Sequence, residues 1–386
     1  MLNKKFDFVV LGATGMQGRI VTKDLLESGY SVLLCGRDKK RVEKILKKYH
    51  NTAFEYIEMS KWEKVAQIIK KSKATVCVSC VEGDWNLNAL KACVKAGVHC
   101  IDLGSEIWMT KDQLKMDKTL KNKGLVAITG AGSVPGIGNV MLRYAAQKLD
   151  KMHSIEVGFS WDSNIKKFVV PFSIQSITEE FMDPAPVVEN GKFKKVIPLK
   201  TIREANRRAI GKQNEFIVRH PETYTFWRYF KDKGVRNIKF YAGFPSHSFE
   251  KISALIDLGL ASKNDINFKN SKVKPVDFIT EVLKDIKFPK GYKETENLWI
   301  LIEGTKKNKS KKILMECIVL TLKGWEDAGC NIDTGMPASI MAQMIKTGEI
   351  DNFGSFAPEA VVPPEPFFKE LRKRKMVVME NGKVIN

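Results

Sequence analysis

The residues best placed to hold a ligand come first in the chain: Val9-Val10-Leu11-Gly12-Ala13-Thr14-Gly15-Met16-Gln17-Gly18. An apolar run ends in glycines spaced G-x-x-G-x-x-G, and a helical pattern follows. A phosphate-binding turn between strand and helix needs that context. Gly12 can make the tight turn, Gly15 lets backbone approach a pyrophosphate at the helix N-terminus, and Gly18 permits close helix–strand packing. Gly12, Ala13, Thr14, Gly15, Met16 and Gln17 are therefore the expected dinucleotide contacts; a glycine-rich turn without a ligand is the competing account. The next strand-like run ends in Leu34-Cys35-Gly36-Arg37-Asp38-Lys39-Lys40-Arg41. Gly36 stands where an acid would bind a ribose 2′-hydroxyl, and Arg37 can pair with a 2′-phosphate. This favours NADP over NAD. Asp38 could turn inward and take the acidic role, or cap the following helix.

Ligands of open α/β sheets sit beyond the carboxyl ends of the strands. Three further segments fall there: Ser79, Cys80 and Val81, whose backbone would line the cofactor; Asp102-Leu103-Gly104-Ser105-Glu106; and the glycine-rich run from Gly130 to Asn139. The last invites close backbone approach to nicotinamide or substrate through Pro135, Gly136 and Asn139. Arg219-His220-Pro221-Glu222-Thr223-Tyr224-Thr225 gathers polar, titratable groups in an expected loop, and loops often carry function. Cys77 and Cys80 are spaced C-x-x-C but lie inside an expected buried strand without a second pair, so they read as structural. The five histidines show no metal-ligand spacing, and no metal site is expected.

The elements that must position these groups follow from hydrophobic period. Over the first 130 residues short apolar runs (6–11, 31–35, 53–57, 75–81, 98–103, 125–129) alternate with helical patterns. That is the mark of βαβ units and a doubly wound parallel sheet of Rossmann type. Near residue 150 the pattern changes: residues 154–161, 168–174, 237–242, 298–303 and 313–322 alternate apolar and polar, as in an antiparallel sheet. A helix over 338–346, a proline-rich stretch and a final short helix close the chain.

The chain has 386 residues, room for two to three domains at ~150 residues each. No apolar run approaches the ~18 residues of a membrane span. The early start of the first strand argues against a secretory signal. Seven cysteines, an odd number, then suit reduced thiols and a cytoplasmic home. Lysines and arginines number 64 against 44 acids, a net charge of +20. The excess is spread over the chain, much of it on lysine-rich helix faces, so nucleic-acid binding is not the preferred reading. The run at 306–312 reads as a hairpin turn.

Together with the glycine-rich start, three motifs resemble the saccharopine dehydrogenase family. They are Gly97-Val98-His99-Cys100-Ile101-Asp102-Leu103-Gly104, the run Gly132, Pro135, Gly136 and Asn139, and Phe181-Met182-Asp183-Pro184-Ala185 followed by Asn190-Gly191-Lys192. Thr334-Gly335-Met336-Pro337-Ala338, Gly348 and Pro358-Glu359 complete the pattern. The resemblance implies a Rossmann domain over 1–149 completed by 330–386. It also implies an inserted α+β domain over 150–329 that binds an amino-acid substrate and forms a homodimer. It implies hydride transfer between NAD(P) and a carbon–nitrogen bond, with saccharopine as the first substrate to consider. Lysine 6-dehydrogenation, carboxynorspermidine reduction and a non-catalytic NADP(H) sensor are alternatives. A saccharopine site should need several cations; a lysine site should need an acid for the distal amine. For proton management Asp102 is the first choice, with Glu106 and His220 behind it. Asp102 could instead cap a turn. Arg219 and Arg228, with Glu222 beside them, are the candidates for holding the substrate.

Overall fold

Short apolar runs, buried on both faces except at the half-exposed edge strand Thr52–Tyr56, form a seven-stranded sheet in a computed structural model describing residues 5–170, 174–283 and 286–386. Across it lie Gly354–Phe356, Val126–Ile128, His99–Asp102, Val76–Ser79, Phe8–Leu11, Val32–Gly36 and Thr52–Tyr56, every neighbour parallel. Alternate residues serve opposite cores: Phe8, Val10, Val32 and Val76 face one, Val9, Leu11, Leu33 and Cys77 the other. The winding starts at Phe8–Leu11, proceeds to one edge, and returns on the other side at Val76–Ser79. The reversal opens a crevice beyond the carboxyl ends of these two strands. The parallel, doubly wound arrangement expected from the strand–helix alternation is the one observed.

Helices Trp62–Ser72 and Asn86–Ala96 pack on one face, and Gly97 ends the second at φ 74°. Met16–Glu27 and Ile332–Thr347 cover the other face. These two helices meet closely: a Cβ on Gly335 would lie 2.4 Å from Ile20 Cγ2. Asp24, 6% exposed, accepts from Nε and Nη2 of Arg374 at 2.8 Å each and from Ser339 Oγ at 2.6 Å. The late helix and the chain beyond it are thus tied to the first sheet.

The second sheet has ten strands around Lys151–Ser163. That strand runs antiparallel to Glu294–Lys306, which continues into Lys309–Leu320. On its other side it is parallel to Asn237–Phe244, so the sheet is mixed where the sequence suggested an antiparallel one. The cause is the intervening chain, which passes through helices Ile174–Met182 and Glu222–Phe230 and re-enters in the same direction. The lysine-rich hairpin is present: Lys307 and Asn308 take φ 48° and 61°, as a two-residue turn requires. Val377–Glu380 and Lys383–Val384 also join this sheet.

Three expectations need correction. Residues 168–170 form no strand and Ile174 opens a helix; residues 171–173 lie outside the described residues. The expected polar loop at 219–225 becomes a helix from Glu222, because Tyr224 and Thr225 donate to Pro221 O at 2.9 Å. The late helix starts at Ile332, ahead of the expected 338, with Pro337 inside it. Among the described residues no helix is long and apolar enough to cross a membrane.

Candidate active site

The cradle at the first turn has the shape of a phosphate site. Gly12 sits at φ 73°, and a Cβ there would lie 2.5 Å from Cys80 O. A Cβ on Gly18 would lie 2.2 Å from Gly12 O, so helix and turn touch backbone to backbone. Gly15 differs: its Cβ would meet only Gly12 O, at 3.3 Å, and the space beyond is open cleft. It caps Met16–Glu27 without a side-chain bond, leaving the helix N-terminus to an anion. Thr14, Gly36, Arg37, Arg41, Cys80 and Val81 line the same hollow. Gly36 is required there, since a Cβ would press on Thr14 Cγ2 at 2.6 Å. Asp38 caps the next turn, accepting from Lys40 N at 3.0 Å, and does not enter the hollow as an acid. Arg37 and Arg41 are exposed at its rim. The residues present fit a dinucleotide with its pyrophosphate at Gly15.

A second hollow adjoins the carboxyl ends of the strands and is roofed by the mixed sheet. Its lining includes Gln17, Ser133, Pro135, Phe159, Trp161, Glu180, His220, Glu294, Glu296 and Asp333. His220, 7% exposed, stacks on Phe240 with ring centroids 4.0 Å apart. Its Nδ1 lies 2.6 Å from Glu222 Oε2, so Nε2 is the nitrogen left for the cleft. Burial opposes protonation of this imidazole, but Glu222, Glu180 and Glu106 outweigh it and raise its pKa. Burial pushes the Glu180 carboxyl up to about 7, with His220 opposing and Glu179 and Glu106 adding to the rise. Burial likewise raises Glu294, and the adjacent pair Glu296 and Asp333. The cleft of this strongly basic chain is therefore acidic.

The expected site residues separate into two groups. His220, Glu106, Pro135 and Gln17 reach the cleft or its rim. Asp102 does not line it. It is 2% exposed; Oδ1 accepts from Gly104 N at 2.8 Å and Thr129 Oγ1 at 3.2 Å, and Oδ2 from Gln113 Nε2 at 2.5 Å. Its carboxylate fastens the ends of neighbouring strands, as the capping alternative required. Gly104 is held tight by the same group, a Cβ there falling 2.8 Å from Asn86 Nδ2. Ser79 is buried and 3.1 Å from Asn86 Oδ1, and Ala13 is buried with its N–H on Cys35 O. Met16 packs partly buried against the core.

Asn139 is also turned away from the cleft. It accepts from Gly136 N at 2.8 Å and donates to Glu359 Oε2 at 2.7 Å, bracing the loop in which Gly136 adopts φ 139°. Arg219 is already engaged, 3.3 Å from Glu106, 3.5 Å from Glu179 and 3.2 Å from Asp183, so it is no free receptor for a substrate carboxylate. Arg228 lies on helix Glu222–Phe230 among Tyr224 and Tyr229, outside the cleft lining. Glu222 acts behind His220 and does not line the cleft.

Sequence reading missed Glu180, Glu294, Glu296 and Asp333. A signal existed for two: Glu294 and Glu296 share the parity of Leu298, Ile300 and Ile302, which are fully buried. Acids on the apolar face of a strand are costly unless they serve a purpose.

Residues 8–128 match the family model "Saccharopine dehydrogenase NADP binding domain", and residues 132–377 match "Saccharopine dehydrogenase C-terminal domain". The carboxyaminopropylagmatine dehydrogenase of Synechocystis is 21% identical across 94% of this chain and 94% of its own. The carboxynorspermidine synthase of Vibrio cholerae is 23% identical across 80% of this chain and 78% of its own. Apo saccharopine dehydrogenase (L-Glu forming) from Saccharomyces cerevisiae shares the fold, with a TM-score of 0.76 over 99% of this chain and 100% of that one at 11% identity. With a nicotinamide-dinucleotide cradle in its first sheet and a second domain roofing the crevice, the chain belongs to the saccharopine dehydrogenase family.

Proposed function

We propose that the protein is an NADP-dependent oxidoreductase that makes or breaks the C–N bond joining a carboxylated fragment to a cationic di- or polyamine. The observation that carries this is the sign of the cleft. Glu180, Glu294, Glu296 and Asp333 line it, no lysine or arginine does among the described residues, and Arg219 at its rim is held by three carboxylates. A dicarboxylic substrate such as saccharopine calls for free cations; an amine calls for acids. The names of the Synechocystis and Vibrio relatives point the same way. Arg37 and Arg41 beside Gly36, with Asp38 occupied as a cap, support NADP over NAD.

In the reductive direction an aldehyde and an amine condense with loss of water, and the imine nitrogen takes a proton. When bound, the reduced dinucleotide supplies hydride to the imine carbon, giving a secondary amine and the oxidised cofactor. His220 handles the proton from Nε2, held in one orientation by Glu222 and raised toward its protonated form. Asp102 holds the strand ends and does not touch the reacting atoms. Residues 1–149 and 330–386 would hold the cofactor and 150–329 most of the substrate, with Asp333 of the late segment also reaching the cleft and the strands at Val377–Glu380 and Lys383–Val384 joining the mixed sheet.

The test is cofactor oxidation by purified protein with an α-amino-acid semialdehyde and a panel of amines. NADPH-dependent turnover with di- or polyamines, weak with glutamate as the amine, is expected. Turnover with glutamate and none with polyamines would return the reading to saccharopine. Cofactor binding without turnover on any pair would favour a sensor.

A further inference from the structure

The register of the mixed sheet sets the span between two ends of the cleft. Phe240 stands opposite Val157, and Trp161 opposite Glu296, on strands either side of Lys151–Ser163. Two strand spacings of ~4.8 Å across, and the four residues from Val157 to Trp161 at ~3.3 Å each along the middle strand, set the two backbone points ~16 Å apart, a gap the inward-pointing side chains shorten. His220 stacks on Phe240 at one side. Phe159 and Trp161, on the same face of the middle strand, give an apolar floor between. At the other side stand Glu294, Glu296 and Asp333.

That side is built and incomplete. Glu294 is 4% and Asp333 3% exposed. Glu294 Oε2 accepts from Cys330 N at 2.8 Å, and Gly329 is forced by it, since a Cβ there would lie 2.1 Å from the same oxygen. Asp333 Oδ1 accepts from Thr334 Oγ1 at 3.1 Å. Glu294 Oε1 and Asp333 Oδ2 are buried in the cleft wall with no N–H donor on them; Glu294 has the Tyr292 hydroxyl beside it, and Asp333 shares a hydrogen bond with the Glu296 carboxyl. Among the described residues, no lysine or arginine pairs with any of the three, and no three such side chains converge as a metal's ligands. Buried acids that face one another without a cation are disfavoured in their ionised forms, and a ligand bearing several N–H groups and a positive charge relieves them. Trp161 adds an aromatic surface of the kind that attracts such a cation.

We propose that Glu294, Glu296 and Asp333 form a subsite for the terminal ammonium or guanidinium of the substrate. The alkyl chain lies on Phe159 and Trp161, and the reacting nitrogen reaches His220. The assignment rests on the amine reading given above and goes beyond it by naming the residues that select a second cation.

Calorimetric titration of the NADPH-saturated protein with 1,6-diaminohexane and with hexylamine reads the subsite without turnover. The diamine is expected to bind at least tenfold tighter. Asp333→Asn and Glu294→Gln should each bring the two amines close to equal affinity, with NADPH affinity unchanged. A wild-type preference below tenfold, or a preference surviving both substitutions in folded protein, overturns the subsite. If neither variant folds, the wild-type ratio decides alone. A diamine preference in a protein that turns over no amine–aldehyde pair would refute the reaction and leave the subsite standing.

Discussion

Replacing Arg37 by alanine should separate the two nicotinamide cofactors. Arg37 and Arg41 are the cations of the hollow that Gly36 opens, and both are exposed. Asp38, the acid nearest Gly36 in the chain, is spent on Lys40 N at 3.0 Å, and Glu58, which lines the hollow, is paired with Lys61. Hydrogen bonds to a charged group contribute about 1.5–3 kcal/mol. Exposure to solvent places Arg37 at the low end, so its loss should weaken NADPH about tenfold. NADH has no 2′-phosphate and should lose almost nothing. The assay is fluorescence titration of both cofactors against wild type, Arg37→Ala and the double variant with Arg41→Ala. The double variant should lose more NADPH affinity than the single, and its NADPH binding should be less salt-dependent, because fewer charges are neutralised on binding. Equal weakening of NADH and NADPH, or a wild type that prefers NADH, would refute the reasoning.

Other expectations follow from single contacts. Gly18→Ala drives a Cβ to 2.2 Å from Gly12 O, so it should cost about 1–3 kcal/mol of stability and most dinucleotide affinity, read by thermal denaturation with and without NADPH. Arg374→Met leaves Asp24 buried and short of its cation, and should cost about 3–5 kcal/mol; adding Asp24→Asn should restore much of the loss in denaturant unfolding. Glu180 rises in the folded protein from 4.5 to about 7, so folding favours its protonated form. That contribution is full below about pH 4.5 and is lost as pH rises through about 7. It is capped at ~3 kcal/mol by the size of the shift, and partial exposure lowers it to ~1–2 kcal/mol. Glu180→Gln should therefore stabilise the apo protein at pH 8 relative to pH 5 when compared with wild type. An unchanged difference between the two pH values would show that Glu180 is not buried as described.

The first sheet was legible because its strands are buried on both faces and each ends at a loop the ligand must approach, so Gly12, Gly15, Gly18 and Gly36 stand out in local sequence. Gly12, Gly18 and Gly36 also have a geometric reason that a single residue type satisfies. Asp102 shows the limit of that reading. A carboxylate at a strand end fits both a catalyst and a bracket, and only the positions of Gly104 N, Thr129 and Gln113 decide for the bracket. Arg219 fails for a similar reason: its three acidic partners come from the Glu106 loop and from Glu179 and Asp183, far apart in sequence. The parallel pairing of Asn237–Phe244 with Lys151–Ser163 was equally hidden, since strand direction depends on how many elements intervene and not on strand pattern. What the alternation did offer, and was passed over, was the parity of Glu294 and Glu296 with the buried Leu298.

The charge of this chain is sorted by depth, and the sorting bears on the chemistry. Its excess of 64 basic over 44 acidic groups lies largely on exposed helix faces and turns. At physiological salt such charges act over about 8–10 Å, far enough to gather an anionic dinucleotide toward the rim where Arg37 and Arg41 stand. Inside the cleft the sign reverses, and burial weakens screening, so Glu180, Glu294, Glu296 and Asp333 dominate. A protonated imine carries its positive charge before hydride arrives and loses it when hydride adds; the neutral secondary amine regains a charge only by taking a further proton. The carboxylates therefore favour the charged imine before the step and the reprotonated amine after it. The same carboxylates repel one another until a cation enters. Amine binding should therefore release protons from the cleft near neutral pH, and the affinity for a diamine should rise as pH rises through about 7, where burial places Asp333, until the amine itself loses its proton.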